Sequence, residues 1–200
     1  MIKNSICFIA LAFLTFSCST SFDSEQEMMD YIAEEENGYR YFKNVNGVDY
    51  ILQYRPTDLL VKQEMGEKVN KELVDSLRDK YGKYLYFNLS MSLNNQELLT
   101  NVANDKAKFG QMVNDLAFGM EEKVHLITPV KDTIAMTDFI YPRMYGMSNS
   151  TTIMLVYPND KKMFDQDYLN FTIQDLGFYT GEVTIKINPK KIKNQPTLNF

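Results

Sequence analysis

Apolar and polar residues alternate most cleanly between Tyr84 and Leu93, where Leu85, Phe87, Leu89, Met91 and Leu93 interleave with Tyr86, Asn88, Ser90 and Ser92. A period of two is that of a β-strand with one buried face, and a polar opposite face favours an antiparallel sheet. Asn46-Gly47, flanked by Tyr39 to Val45 and by Val48 to Arg55, predicts a hairpin, because this dipeptide accepts the positive φ values of a type I′ turn. A two-residue turn also fixes the register. Val45 opposes Val48, Tyr41 opposes Leu52 and Tyr39 opposes Tyr54 on one face, while Phe42 opposes Ile51 on the other. The tyrosine face reads as core packing; the alternative is an exposed aromatic row on which sugar rings stack.

Helical signals fall in three stretches. Ser24 and Glu27 stand at the spacing of a capping box and open a helix running to about Glu36, which Asn37-Gly38 closes. Pro56 ends the second hairpin strand, and Asn70 caps a helix with Leu73, Val74, Leu77 and Tyr81 at helical spacing, closed by Gly82. Residues 95–120 carry Leu98, Leu99, Val102, Phe109, Met112, Val113, Leu116 and Ala117 as an interrupted apolar stripe, one helix or two, with Gly110 as a candidate break. Strand patterns then recur at Lys123 to Thr128, Thr133 to Tyr141, Thr151 to Tyr157, Tyr168 to Gln174 and Gly181 to Asn188. Together these predict an α+β fold, mainly an antiparallel β-sandwich or curved sheet with three to four packed helices.

The first residues follow a different pattern. Lys3 supplies a positive charge, Ile6 to Phe16 are largely apolar, and no acidic residue precedes Asp23. As a helix, Ile6 to Phe16 would extend about 16 Å, roughly half of a bilayer core, so it reads as a signal segment and not as a membrane span. The run Leu14-Thr15-Phe16-Ser17-Cys18 resembles a bacterial lipobox, of the relaxed Bacteroidota type because the bulky Phe16 stands where a small residue is usual. That resemblance implies that residues 1–17 are a signal peptide that is removed, that Cys18 is lipidated, and that residues 18–24 are a lipidated tether before one globular domain, 25–200. It also implies an envelope protein held by its lipid, in the outer membrane. Two acyl chains give a stable anchor where one does not. The cysteine count agrees, because the second cysteine, Cys7, lies inside the expected signal and leaves Cys18 without a disulfide partner. The plainer alternative is an ordinary cysteine in an ordinary signal peptide.

Composition narrows the function. The formal charge is −5 and there is no basic stripe, so nucleic acid is not an expected partner. With 44% hydrophobic residues the chain can bury a sizeable core. Seven acidic residues and no basic one lie from Asp23 to Glu36, a solvated helix face or a surface-export signal. His125 is the only histidine, which excludes a His-dependent triad and a multi-His metal site by count, and no phosphate-cradling glycine loop is present. Asp132, Asp138, Asp165, Asp167 and Asp175 are carboxylates that could supply a glycosidase pair, although no sequence constraint brings any two together.

No cofactor or metal is expected, and no catalytic residue is assigned. Asp75-Ser76-Leu77 and Asp132-Thr133-Ile134 resemble the acceptor pattern of Bacteroidota protein O-glycosylation, which makes Ser76 and Thr133 candidate modification sites. The polar stretch from Met144 to Thr152 reads as a loop, and Tyr141, Tyr145 and Met147 as a candidate contact surface. These features point to a non-enzymatic envelope lipoprotein with a binding or assembly role, in contact with the membrane and with an envelope protein partner. An accessory lipoprotein of a secretion or gliding apparatus and a glycan-binding or glycan-acting surface lipoprotein are the alternatives.

Overall fold

The Asn46-Gly47 turn forms with φ of 51° and 81°, and it sets the frame on which the rest of the chain is hung. The computed structural model describes residues 20–66 and 70–200. The expected signal peptide and Cys18 lie outside those residues. In chain order the elements are β1 (Ser21–Phe22), α1 (Glu25–Ala33), β2 (Arg40–Val45), β3 (Val48–Arg55), α2 (Thr57–Met65), α3 (Lys71–Tyr81), β4 (Tyr84–Leu93), α4 (Leu98–Asn101), α5 (Lys106–Phe118) and α6 (Met120–Lys123). There follow β5 (Val124–Ile127), β6 (Thr133–Ile134), β7 (Asp138–Ile140), β8 (Thr151–Pro158), α7 (Lys161–Phe164), β9 (Leu169–Ile173), β10 (Val183–Ile187), α8 (Pro189–Lys193) and β11 (Thr197–Leu198).

A five-stranded sheet has the order β2-β3-β4-β8-β7 and a four-stranded sheet the order β10-β9-β5-β6, and both are antiparallel throughout. The hairpin register is the expected one, with Val45 opposite Val48, Tyr41 opposite Leu52 and Phe42 opposite Ile51. The fold is therefore α+β. The two sheets share one core: the Phe171 ring of β9 lies 5.9 Å from that of Phe87 on β4 and 6.3 Å from that of Tyr157 on β8. Tyr39 and Tyr54 are buried in this core, so the hairpin tyrosines pack and do not form a sugar platform; Tyr41 is half-buried.

Local chemistry explains the helix ends. Ser24 Oγ accepts the Glu27 amide at 3.2 Å, Asn70 Oδ1 accepts the Glu72 amide at 2.9 Å, and Gly38, at φ 78°, closes the turn after α1. Four of the helices run nine residues or more, and the others are single turns at strand ends.

Four expectations need correction. The segment Thr133 to Tyr141 is two strands, because the chain crosses between sheets at Ala135 to Thr137: β6 pairs with β5, and β7 with β8. The helix α2 carries no amphipathic signal because it is buried on several sides, with Leu59 in the main core, Leu60 against Tyr86 and Val156, and Val61 and Met65 against Val74 and Leu77. That cover also buries Tyr86, on the face of β4 expected to be wet. Gly110 lies inside α5, and the break falls at residues 102–105, where Asp105 Oδ1 accepts the amides of Ala107 and Lys108 at 3.1 Å and starts a new helix. Finally, the expected tether is partly folded in: Ser21 and Phe22 pair in parallel with Thr197 and Leu198, so the domain begins by Thr20 and not at residue 25.

An ion pair between the buried Asp58 and the half-exposed Arg78 joins the helices to this strand pair. Asp58, in the first turn of α2, accepts Arg78 Nε at 2.8 Å and Nη2 at 2.6 Å, together with the Leu198 amide at 2.8 Å. Arg78 Nη2 also donates to the Leu198 carbonyl at 3.0 Å. Asp58 needs these partners, because an unpaired buried carboxylate is costly.

Candidate functional site

The connection between β7 and β8 is held by residues far away in sequence. After β4, Asn94 and Asn95 take φ of 56° and 57° and reverse the chain, which brings Glu97 to the start of α4. Its side chain is buried, at 2% exposure. Glu97 Oε1 accepts the backbone amides of Gly146 at 3.0 Å and Ser148 at 3.1 Å. One residue on, the Leu98 amide donates to Thr151 Oγ1 at 2.9 Å. Two stitches thus fix the loop to α4.

Between them the Met147 amide donates to the Met144 carbonyl at 3.1 Å, and the central residues Tyr145 and Gly146 have φ of 55° and 81°. Paired positive φ values are those of a type I′ turn. Glycine adopts them freely, whereas a tyrosine there stores roughly 1–2 kcal/mol of strain. The strained residue is the one displayed: Tyr145 is 74% exposed and Met147 79%. Strain of this kind collects where a side chain is held for a purpose.

Beside the turn lies a cavity of about 390 Å³ walled by Glu97, Leu99, Phe109, Arg143 and Tyr145 among others. The Arg143 guanidinium stands 4.8 Å from the Tyr145 ring centre and 5.9 Å from that of Phe109, within cation–π reach of both. It makes no ion pair among the described residues. The site therefore joins an apolar wall, a buried carboxylate and an unpaired cation.

The three residues expected as a contact surface separate here. Tyr145 and Met147 share the turn, but Tyr141 is half-buried and packs on the main core. Its hydroxyl is buried without a hydrogen-bond partner among the described residues. Burial pushes that phenol above its usual value; the nearby Glu97 charge adds to the rise and Arg143 opposes it. Glu97, Phe109 and Arg143 were not legible as site residues, since nothing in the local spacing links residue 97 to an amide at 146.

The remaining candidates lie elsewhere. His125 is half-buried on β5, opposite Thr172. Ser76 and Thr133 are both exposed, on α3 and at the start of β6. Asp132 and Asp165 line one cleft of about 530 Å³, together with Asp160 and Thr133. All three carboxylates there are exposed to solvent, whereas a glycosidase acid works from drier surroundings.

Asp138 and Asp167 are also exposed, away from that cleft. Asp175 supports a turn: partial burial works against its ionisation, but the amides of Phe178 at 2.8 Å and Gly177 at 2.9 Å hold its carboxyl below the usual range. Among the described residues, no group of three or more His, Cys, Asp or Glu is placed to hold a metal ion, and no helix is long and apolar enough to cross a membrane. No protein-family model, curated protein or solved structure matches this chain.

Proposed function

We propose that this chain is a lipid-anchored envelope lipoprotein, probing the space outside the cytoplasm from the outer membrane, that works by binding and not by catalysis. The observation that carries the binding half is the Met144–Met147 turn, which shows Tyr145 and Met147 to solvent while Glu97 clamps it from below. Large side chains on a preorganised turn lose little entropy on contact, which is what a docking element needs. The anchoring half rests on the lipobox-like run ending at Cys18. A role in catalysis finds less support, since the cleft with several carboxylates keeps them solvated.

Two measurements test the two halves separately. Intact mass spectrometry of detergent-extracted protein from its own host should find a chain beginning at acylated Cys18, and none in Cys18→Ala; an unmodified chain cut elsewhere removes the anchor from the proposal. Crosslinking in intact cells with a photoreactive residue at position 147 should capture a defined envelope component. Equal labelling from position 147 and from the exposed position 72 on α3 would show that the turn is not the docking element.

A further inference from the structure

We infer that the cavity beneath the Met144–Met147 turn is a saccharide site, in which Glu97 receives sugar hydroxyls, Arg143 donates to ring or hydroxyl oxygens, and Tyr145 with Phe109 packs the apolar face of the ring. The inference rests on the binding role proposed above and names the class of ligand.

Glu97 is the starting point. It is 98% buried by exposure of only 2%, and both amides of the turn fall on the same oxygen, Oε1. Its second oxygen has no hydrogen-bond partner among the described residues, yet it is not sealed off, and Glu97 forms part of the cavity wall. An acceptor is thus left over on a residue that walls the same chamber as Leu99, Phe109 and Arg143. The buried Asp58 carboxylate, by contrast, has donors on both of its oxygens. Clamping the turn needs one oxygen; the other is available to a ligand.

The opposite requirement comes from Arg143. Its guanidinium is held over two aromatic rings and lies beyond 4.0 Å from any carboxylate oxygen among the described residues, Glu97 included. An acceptor and a fork of donors therefore face one cavity without neutralising each other. A ligand that satisfies both must donate to one wall and accept from the other, with an apolar surface between them.

A pyranose ring meets all three demands, because each hydroxyl both donates and accepts and the ring carries axial C–H groups that lie on aromatic faces. The volume, about 390 Å³, falls at the lower end of small-molecule sites and suits one or two sugar rings. A purely apolar occupant would leave both the carboxylate oxygen and the guanidinium unpaired, which costs about 1–3 kcal/mol for each group. A cationic side chain would meet Arg143 as a like charge. A zwitterionic peptide is the closest competitor and is made an arm of the test.

The full-length mature protein, solubilised in detergent, would be titrated calorimetrically with maltotriose, cellotriose, chitotriose, xylotriose and mannotriose, and with trialanine as the zwitterion. At least one trisaccharide should bind with Kd below about 1 mM, and Glu97→Gln should weaken it tenfold or more. That variant keeps an oxygen for the Gly146 and Ser148 amides but replaces the free acceptor by a donor, and an unchanged circular dichroism spectrum separates this from misfolding. Tyr145→Ala should weaken the same sugar without the change in fold.

Three results would overturn the inference: no trisaccharide saturates, binding is indifferent to Glu97→Gln, or trialanine binds with the same dependence on Glu97. If sugars fail while crosslinking from position 147 still captures an envelope component, the saccharide assignment falls and the docking role stands. If both fail, the binding role falls with it.

Discussion

Removing Arg78 should damage this protein more than removing Asp58, although the two belong to one ion pair. The reason is where each side chain ends up when its partner is gone. Asp58 has 4% of its side chain exposed and Arg78 38%. In Arg78→Ala the carboxylate stays buried with a single donor, the Leu198 amide, and an uncompensated buried charge costs about 3–5 kcal/mol. The variant also loses the packing of the guanidinium on the Phe200 ring, 5.1 Å away.

In Asp58→Ala the guanidinium can turn towards water and still donate to the Leu198 carbonyl. What remains is an orphaned Leu198 amide, so the expected cost is about 1–3 kcal/mol. Arg78→Lys should fall between, because an ammonium cannot reproduce the two-pronged contact. Urea denaturation at pH 7, followed by far-ultraviolet circular dichroism, measures all three. The reasoning fails if Asp58→Ala costs as much as Arg78→Ala, or if neither reaches about 1 kcal/mol.

Phe87, 1% exposed and ringed by Tyr54, Tyr157 and Phe171, joins the two sheets, so Phe87→Ala should cost about 3–5 kcal/mol and lower the melting temperature by roughly 10 °C in a calorimetric scan. Asp175 has a depressed pKa in the folded state; its contribution is complete above the unfolded-chain value near 4 and is lost as pH falls through the folded value. The stability gap between wild type and Asp175→Asn should therefore shrink as pH falls below the unfolded-chain value near 4, and a gap that widens on acidification refutes this. Tyr39 and Tyr86 are each pushed up to about 12 by burial, so stability present below the unfolded tyrosine value near 10 should be lost as pH rises towards 12, together with a late step in absorbance at 295 nm. Tyr145→Gly relieves a positive φ and should leave stability unchanged or raise it by up to about 1 kcal/mol while abolishing ligand contact; a clear loss of stability would show that the turn is not strained.

What could be read from the sequence was what depends on neighbours in the chain. The β4 alternation and the Asn46-Gly47 hairpin gave strand bounds and register, because a period of two and a two-residue turn leave no freedom. Ser24, Asn70 and the acidic start of α1 marked helix ends for the same reason. Elements whose burial comes from several directions were not legible. The α2 segment lacks a polar stripe because its neighbours are α3, the sheet and the last strand, and the two-residue strand β1 owes its existence to residues nearly the whole chain away. The site divides in the same way. Tyr145 and Met147 stood out as apolar residues in a polar loop, whereas Glu97 acquires its role only when the turn after β4 carries it under residues 146–148.

The pairing of β1 with β11 also has a mechanical meaning. Any pull transmitted through the residues ahead of Thr20 arrives first at a parallel strand only two residues long, backed by the Ser21 to Asn199 and Asn199 to Asp23 side-chain hydrogen bonds of 2.8 and 2.6 Å. With two residue pairs against the eight that join β3 to β4, such a clasp is expected to open before that sheet does. Its opening would release a few residues of slack and would also draw on the core, because Phe22 and Leu198 pack there and the Leu198 amide is bonded to Asp58.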